Sequence, residues 1–362
     1  MRYHDDPERH EETEDTEDTP LVSSANGKPT GLSQTGGYVT GWASFGLAWT
    51  LVGVQAFIRW FASDDFHPAP LVDGPDKLAT WRLVMLRIVE TISLAVLLGF
   101  VWFSVITPLR IARPAPDGTT RRGQLSLDGK FVLGGIVAWV SDAFLNCQQY
   151  IFSWNAHNVN MGVWTRFLPF HRDGGPHQYA ESLLWGPPMY VYFCAGVAIV
   201  ACNCIKPLRR RWPNISNMNL IVIIWIGEFL FDFVVENTII RTTHGYGYPK
   251  TYAPLTLWAG QTEQFPLYES ILVATLGSLY TQMRLLAMND PNGYSPVEHG
   301  FDQWPRVLQA PVRAFAVIGF CGLATLCVYH LPVNWLGVIG TSRGYIPTYM
   351  IPGSGLESLY PC

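Results

Sequence analysis

From residue 38 onward, long apolar runs alternate with short polar connections, and seven runs approach the roughly 20 residues that carry an α-helix across a bilayer. They fall near residues 41–58, 83–106, 131–154, 188–205, 220–236, 266–288 and 312–330. Trp42, Trp60, Trp81, Trp154, Trp185 and Trp335 sit at run ends, where interfacial anchors belong. The pattern predicts an all-α polytopic membrane protein, with about seven transmembrane helices in one bundle over residues 38–335. Nine of the first 18 residues are Asp or Glu, so residues 1–37 read as a disordered acidic tail. They lack a basic stretch followed by an apolar one, and no secretory signal is expected. Residues 336–362, rich in Gly, Pro and Tyr, read as an irregular C-terminal tail.

Polar residues interrupt these runs in a pattern. In "GEFLFDFVVEN" (227–237), Glu228, Asp232 and Glu236 recur every fourth residue. At about 3.6 residues per turn they share one helical stripe. The third run carries Asp142, Asn146 and Gln149 on a single face, and the second carries Arg87 and Glu90 one turn apart. Glu269 opens the sixth run. Each ionised group near the bilayer centre costs about 2.5–3.5 kcal/mol, so these residues must face one another rather than lipid. Arg87 and Glu90 read as a local structural ion pair. The acids outnumber the single intramembrane Arg, and crowded carboxyl groups keep some protons near neutrality. One acidic cavity lined by the second, third, fifth and sixth runs is therefore expected, with Asp232, Glu228, Asp142 and Glu236 as its catalytic carboxyl groups.

Lys and Arg set the orientation. The tail and the even-numbered connections carry 15 of them; the odd-numbered connections and the C-terminal tail carry 8. This places the N-terminus in the cytoplasm and the acids in the outer half of the membrane. Composition adds little but exclusions. Charged residues make up 14% of the 362, against about 25% in ordinary soluble domains. The seven cysteines include no CxxC pair and most sit beside apolar runs, which argues for core residues rather than disulfides or zinc. The close pair His171 and His177 in "HRDGGPH" is a weak metal signal without further ligands. With no phosphate loop and no basic stripe, no cofactor, metal or nucleic acid is expected.

Two outer connections, 155–186 and 237–265, are long enough to cover the cavity and rich in aromatic and amide groups. Such a mix suits a large, apolar, oxygenated small molecule. Asn146, Gln149, Asn155, His157, Trp164, His244 and Glu269 are the candidate substrate-binding residues.

The "FSWNAHNVNMGVW" that closes the third run, and the acidic fifth run followed by "NTIIR", resemble the avermectin-type spirocyclases. These are integral-membrane proteins of actinobacterial polyketide pathways, and the resemblance covers roughly residues 38–330. It implies residence in a bacterial cell membrane and closure of a dihydroxy-ketone polyketide to a spiroketal, in some members with dehydration. Such closure needs a carboxylic acid to expel water and a carboxylate to stabilise the oxocarbenium ion and remove the last proton. On position alone, Glu228, the deepest acid, suits the proton donor, Asp232 the stabilising carboxylate and Asp142 a second base. A proton-initiated terpene or carotenoid cyclase would use buried acids similarly, in a more aromatic pocket. A proton-coupled transporter is disfavoured by the lack of an internal repeat, and a retinal protein by the lack of an intramembrane Lys.

Overall fold

The computed structural model describes residues 38–71, 74–111, 113–114, 120–121 and 123–351. The acidic tail and residues 352–362 lie outside them. Helices dominate, and seven follow the predicted runs: α1 (Tyr38–Phe61), α2 (Thr80–Arg110), α3 (Leu127–Ala138), α4 (Gly186–Arg211), α5 (Asn217–Thr243), α6 (Leu267–Asn289) and α7 (Arg306–Ile339). Six of these, all but α3, are long and apolar enough to cross a membrane. The third run differs from expectation because α3 tightens at Trp139 into a 3₁₀ helix that ends at Asn146. Its remaining residues become buried loop, held by a single side chain. Asn146 Oδ1 accepts from the backbone N–H of Ile151 (2.9 Å) and Phe152 (3.0 Å), and its Nδ2 donates to Phe152 O.

Three helices contain π-helical turns, at Val101–Ile106, Tyr192–Gly196 and Thr325–His330. Two have a covalent cause. Pro108 and Pro332 have no N–H to give the carbonyls four residues back, Ser104 and Val328, so the turn widens there. The freed Ser104 carbonyl accepts from Ser126 Oγ, which also caps α3 by accepting from Gly129 N.

α1 and α7 touch backbone to backbone. A Cβ on Gly46 would fall 2.0 Å from Phe315 O, and one on Gly319 would fall 2.1 Å from Trp42 O. Small residues permit such approach where lipid supplies no hydrophobic drive between helices. The lipid-facing exterior is plain on α2 and α5, where only 6% and 17% of the most apolar window is buried.

The connections divide between two ends as the charge count assumed. At one end, residues 62–79, 147–185, 244–266 and 340–351 knit into a single loop layer. Short antiparallel strand pairs join Ser153–Trp154 to Tyr246–Gly247 and Lys250–Thr251 to Ser342–Arg343. Tyr345 donates to Asp76, and Ala156 N donates to Tyr349 O. Residues 340–351 are thus not an irregular tail: Tyr349 and Met350 are buried, and they close the layer. At the opposite end, Glu298 is wholly buried between Lys130 and Arg313. That end holds more buried charge than the sequence suggested. Reporter fusions after Arg211 and after Lys250 should read inside and outside respectively; the same compartment for both would overturn the alternating topology.

Candidate active site

The stripe on α5 is divided by its neighbours. Asp232 and Glu236 turn inward beside Glu269 at the start of α6, and the three carboxyl groups each offer an oxygen within 4.8 Å of the others. This spacing suits shared protons, and equally a divalent cation. Tyrosines hold the group: Tyr248 Oη donates to Glu236 Oε2 and Tyr329 Oη to Glu269 Oε1, both at 3.1 Å. Ser270 Oγ donates to Glu269 Oε2 at 3.4 Å. Asp232 Oδ2 is buried with no hydrogen-bond partner. Among the described residues, no Lys or Arg pairs with these acids.

Glu228, one turn inward, stands apart and accepts from Thr281 Oγ1 (3.3 Å) and Ser278 Oγ (3.4 Å) on α6. Gly277 makes the room for it, since a Cβ there would lie 2.4 Å from Glu228 Oε2.

A groove open to the lipid side runs past these acids. Its inner part, about 350 Å³, lies between α4, α5 and α6, and Glu228 lines it among apolar residues such as Val197, Ile224 and Leu276. The outer part, about 190 Å³, reaches α2 at Ile92 and Val96 and includes Glu236. Tyr192, Phe193, Phe231 and Asp232 border both parts, so Asp232 stands where they meet. Trp154, Trp185 and Tyr246 stack edge to face at 5.2–5.4 Å to cap the outer end.

Asp142 lies elsewhere. It accepts from Tyr190 Oη (2.6 Å) and Trp154 Nε1 (3.3 Å), and Tyr190 also bonds His330. Its neighbour is Glu181, which accepts from Trp139 Nε1 at 3.0 Å. Burial, and then Asp142 beside it, hold the Glu181 carboxyl well above the usual range. The single cavity expected from the sequence is therefore two adjacent clusters. Residues Tyr329 and His330 of α7 separate them, one reaching Glu269 and the other Tyr190. Asp142 and Glu181 border neither part of the groove. Glu181, within "YAESLLWGPP", carried no helical periodicity that would have marked it.

Most of the expected binding residues are spent on the loop layer. Asn155 Nδ2 donates to His244 O, its Oδ1 accepts from His157 N, and Asn146 has the backbone partners described above. Gln149 Oε1 accepts from Lys250 Nζ. Trp164 is fully buried, donates to Val140 O, and packs against Phe57, Trp60 and Trp139. His157 bonds Asn155 Oδ1. Irregular backbone beside a membrane must have every polar group satisfied, and these amides do that. His244, in a left-handed conformation at the end of α5, meets Tyr349 Oη (2.7 Å) and Glu263 Oε1 (3.0 Å). Burial, then Arg82, push its imidazole down to about 4, so the contact with Glu263 is a hydrogen bond of a neutral ring rather than an ion pair. Glu269 alone of the binding candidates joins the acid cluster. Arg87 bonds Glu90 and donates to His157 O, while Glu90 Oε1 accepts from Val159 N at 2.8 Å; the pair ties α2 to the loop layer.

The family described as "Spirocyclase AveC-like" matches residues 120–354, which takes in α3 to α7, both acid clusters and three of the four segments of the loop layer, all but 62–79. No curated protein and no solved structure matches the chain.

Proposed function

Because the chain belongs to the AveC-like spirocyclase family, we propose that it closes an open-chain dihydroxy-ketone of polyketide type to a spiroketal within the lipid-facing groove, with Asp232, Glu236 and Glu269 as the acid–base group. The observation that carries this reading is the position of Asp232: a buried carboxyl with an unengaged oxygen, at the junction of two apolar grooves.

The chemistry follows from that position. One substrate hydroxyl adds to the ketone to give a hemiketal. A protonated carboxyl gives its proton to the hemiketal oxygen, the C–O bond breaks, and water leaves an oxocarbenium ion. The second hydroxyl adds to that carbon, and a carboxylate takes its proton, so one water is lost in all. Three carboxyl groups with oxygens within 4.8 Å of one another can share protons, so the cluster can offer acid and base together. A carboxylate beside the cation stabilises it in a low-dielectric site. Tyr248 and Tyr329 fix two of the acids, and the aromatic cap holds the folded substrate so that one face closes. A substrate of this class is apolar enough to arrive through the bilayer, which is where the groove opens. Glu228 belongs to the inner part of the groove and serves substrate placement or a separate dehydration. The excess of Lys and Arg in the tail and even-numbered connections supports a cytoplasmic N-terminus, which would put the acids in the outer half of a bacterial cell membrane.

The test is direct. The purified protein in lipid nanodiscs, given a synthetic open-chain keto-diol, should return a product lighter by one water and strongly enriched in one spiro epimer. A mixture at the epimer ratio and rate of the protein-free reaction would defeat the proposal.

A further inference from the structure

The inner part of the groove has a character of its own. It follows α5 from Ile223 to Asp232, about 14 Å of helix rise. Its walls are apolar over most of that length, and Glu228 and Asp232 are the only charged groups lining it among the described residues. Asp232 stands at the outer end, where the proposed reaction takes place. Glu228 lies four residues, or about 6 Å of rise, further in.

Glu228 has hydrogen-bonding capacity left. Each oxygen accepts one bond from α6, Oε1 from Thr281 Oγ1 at 3.3 Å and Oε2 from Ser278 Oγ at 3.4 Å. No Lys or Arg among the described residues pairs with it. An ionised carboxylate offers about four acceptor positions, and a protonated one keeps an acceptor and adds a donor. A carboxyl group bordering an apolar groove within a membrane is costly unless those positions are used. The acyl chain of a lipid offers nothing to it. A hydroxyl suits either form.

Two glycines shape the space, for opposite reasons. At Gly277 on α6 a Cβ would lie 2.4 Å from Glu228 Oε2 and 2.9 Å from Val197 Cγ1, so the glycine lets the carboxyl sit between the helices. At Gly227 on α5 a Cβ would meet nothing within 4 Å, and the residue lies in the helix interior. No packing contact calls for glycine there, and glycine in a helix interior is destabilising relative to Ala. What its missing side chain leaves open is the wall of the groove, which Gly227 lines.

We infer that the inner groove is the subsite for one arm of the substrate, an apolar chain with a hydroxyl about one helical turn from the reacting carbon. Glu228 accepts from that hydroxyl, and Gly227 sets how bulky the arm can be. The inference rests on the reading that Asp232 marks the reacting end, and it adds which kind of keto-diol the groove takes.

Cys204 reports occupancy. It is exposed and lines the same inner groove from α4. With the other exposed cysteine, Cys327, and the C-terminal Cys362 replaced by Ala, the reaction of Cys204 with N-ethylmaleimide is followed for the full chain in nanodiscs. Two synthetic open-chain keto-diols with the same long arm are compared, one with the further hydroxyl on that arm and one without it. An alkane of the arm's length stands for a lipid chain. The hydroxylated compound should slow labelling, and its deoxy counterpart should need about tenfold more for the same protection, as loss of one bond to a charged group predicts. Gly227→Leu fills open space and favours the helix, so it should fold as the wild type does, yet require about tenfold more of the hydroxylated compound. Glu228→Leu should make the two keto-diols equal. The subsite is overturned if the two protect equally in the wild type, if the alkane protects as well as the hydroxylated compound, or if Gly227→Leu responds as the wild type does. Closure is measured on the same samples. Closure without protection of Cys204 overturns the subsite alone, whereas protection without closure overturns the reaction and leaves the subsite standing.

Discussion

Asp232→Asn should leave the protein folded in the membrane while slowing stereoselective closure by about 10²–10⁴, the usual worth of a positioned acid or base. The amide keeps the size of the carboxyl group but has no proton to exchange. Stability should change little, because Asp232 Oδ2 makes no hydrogen bond that the amide would lose. The removed charge also relieves crowding with Glu236 and Glu269. Asp142→Asn is the informative partner. Asp142 accepts from both Tyr190 and Trp154, so an amide turns an N–H toward a donor within a dry site. It should lower the amount of folded protein while leaving the rate per folded molecule near that of the wild type. Both variants are to be compared by epimer ratio and by rate normalised to folded protein. An unchanged rate in Asp232→Asn, or loss of closure per folded molecule confined to Asp142→Asn, would move the chemistry out of the groove.

The contrast between those two acids also marks what the sequence could reveal. Periodicity placed Glu228, Asp232 and Glu236 on one stripe of α5, because a helix converts spacing into direction without help from its neighbours. It also gave the membrane class and the division of connections between two ends, since both follow from run length and alternation. Which acid meets which is a matter of tertiary packing. Glu228 is drawn aside by Ser278 and Thr281, and Asp142 by Tyr190, contacts between helices that no spacing encodes. The amides of "NAHNVN" share the composition of a binding loop, yet they serve the backbone of the loop layer. Glu181 and Glu298 lie in irregular segments, where position along the chain says nothing about depth.

Glu298 supplies the largest expected effect on stability. Its side chain is fully buried, accepts from Arg313 Nε at 2.8 Å, bonds Lys130, and through Oε2 caps the turn at Ser295. It thereby ties α3 to α7 and to the connection between α6 and α7. Burial alone would raise its carboxyl affinity for protons, but Lys130 and Arg313 more than offset this and hold it below the usual carboxylate range. A depressed carboxyl stabilises the fold fully above the unfolded value and loses that contribution only as pH falls through the lower folded value. The triad should therefore survive mild acid and fail only in strong acid. Glu298→Ala removes the shared anion and leaves Lys130 and Arg313 buried beside each other without it. Breaking a buried ion pair from one side costs about 3–5 kcal/mol. Arg313 keeps its stacking on Tyr294 (4.4 Å) and Phe301 (4.8 Å), so the loss should fall toward the lower part of that range. Replacing all three members with apolar residues of similar volume should recover most of it, because no ion is then stranded. The acid–base groove lies toward the other end of the bundle, so closure per folded molecule should be unchanged in every one of these variants. Thermal midpoints in detergent and the normalised rate separate the two quantities. A midpoint for Glu298→Ala equal to that of the wild type would show that the triad adds nothing to the fold.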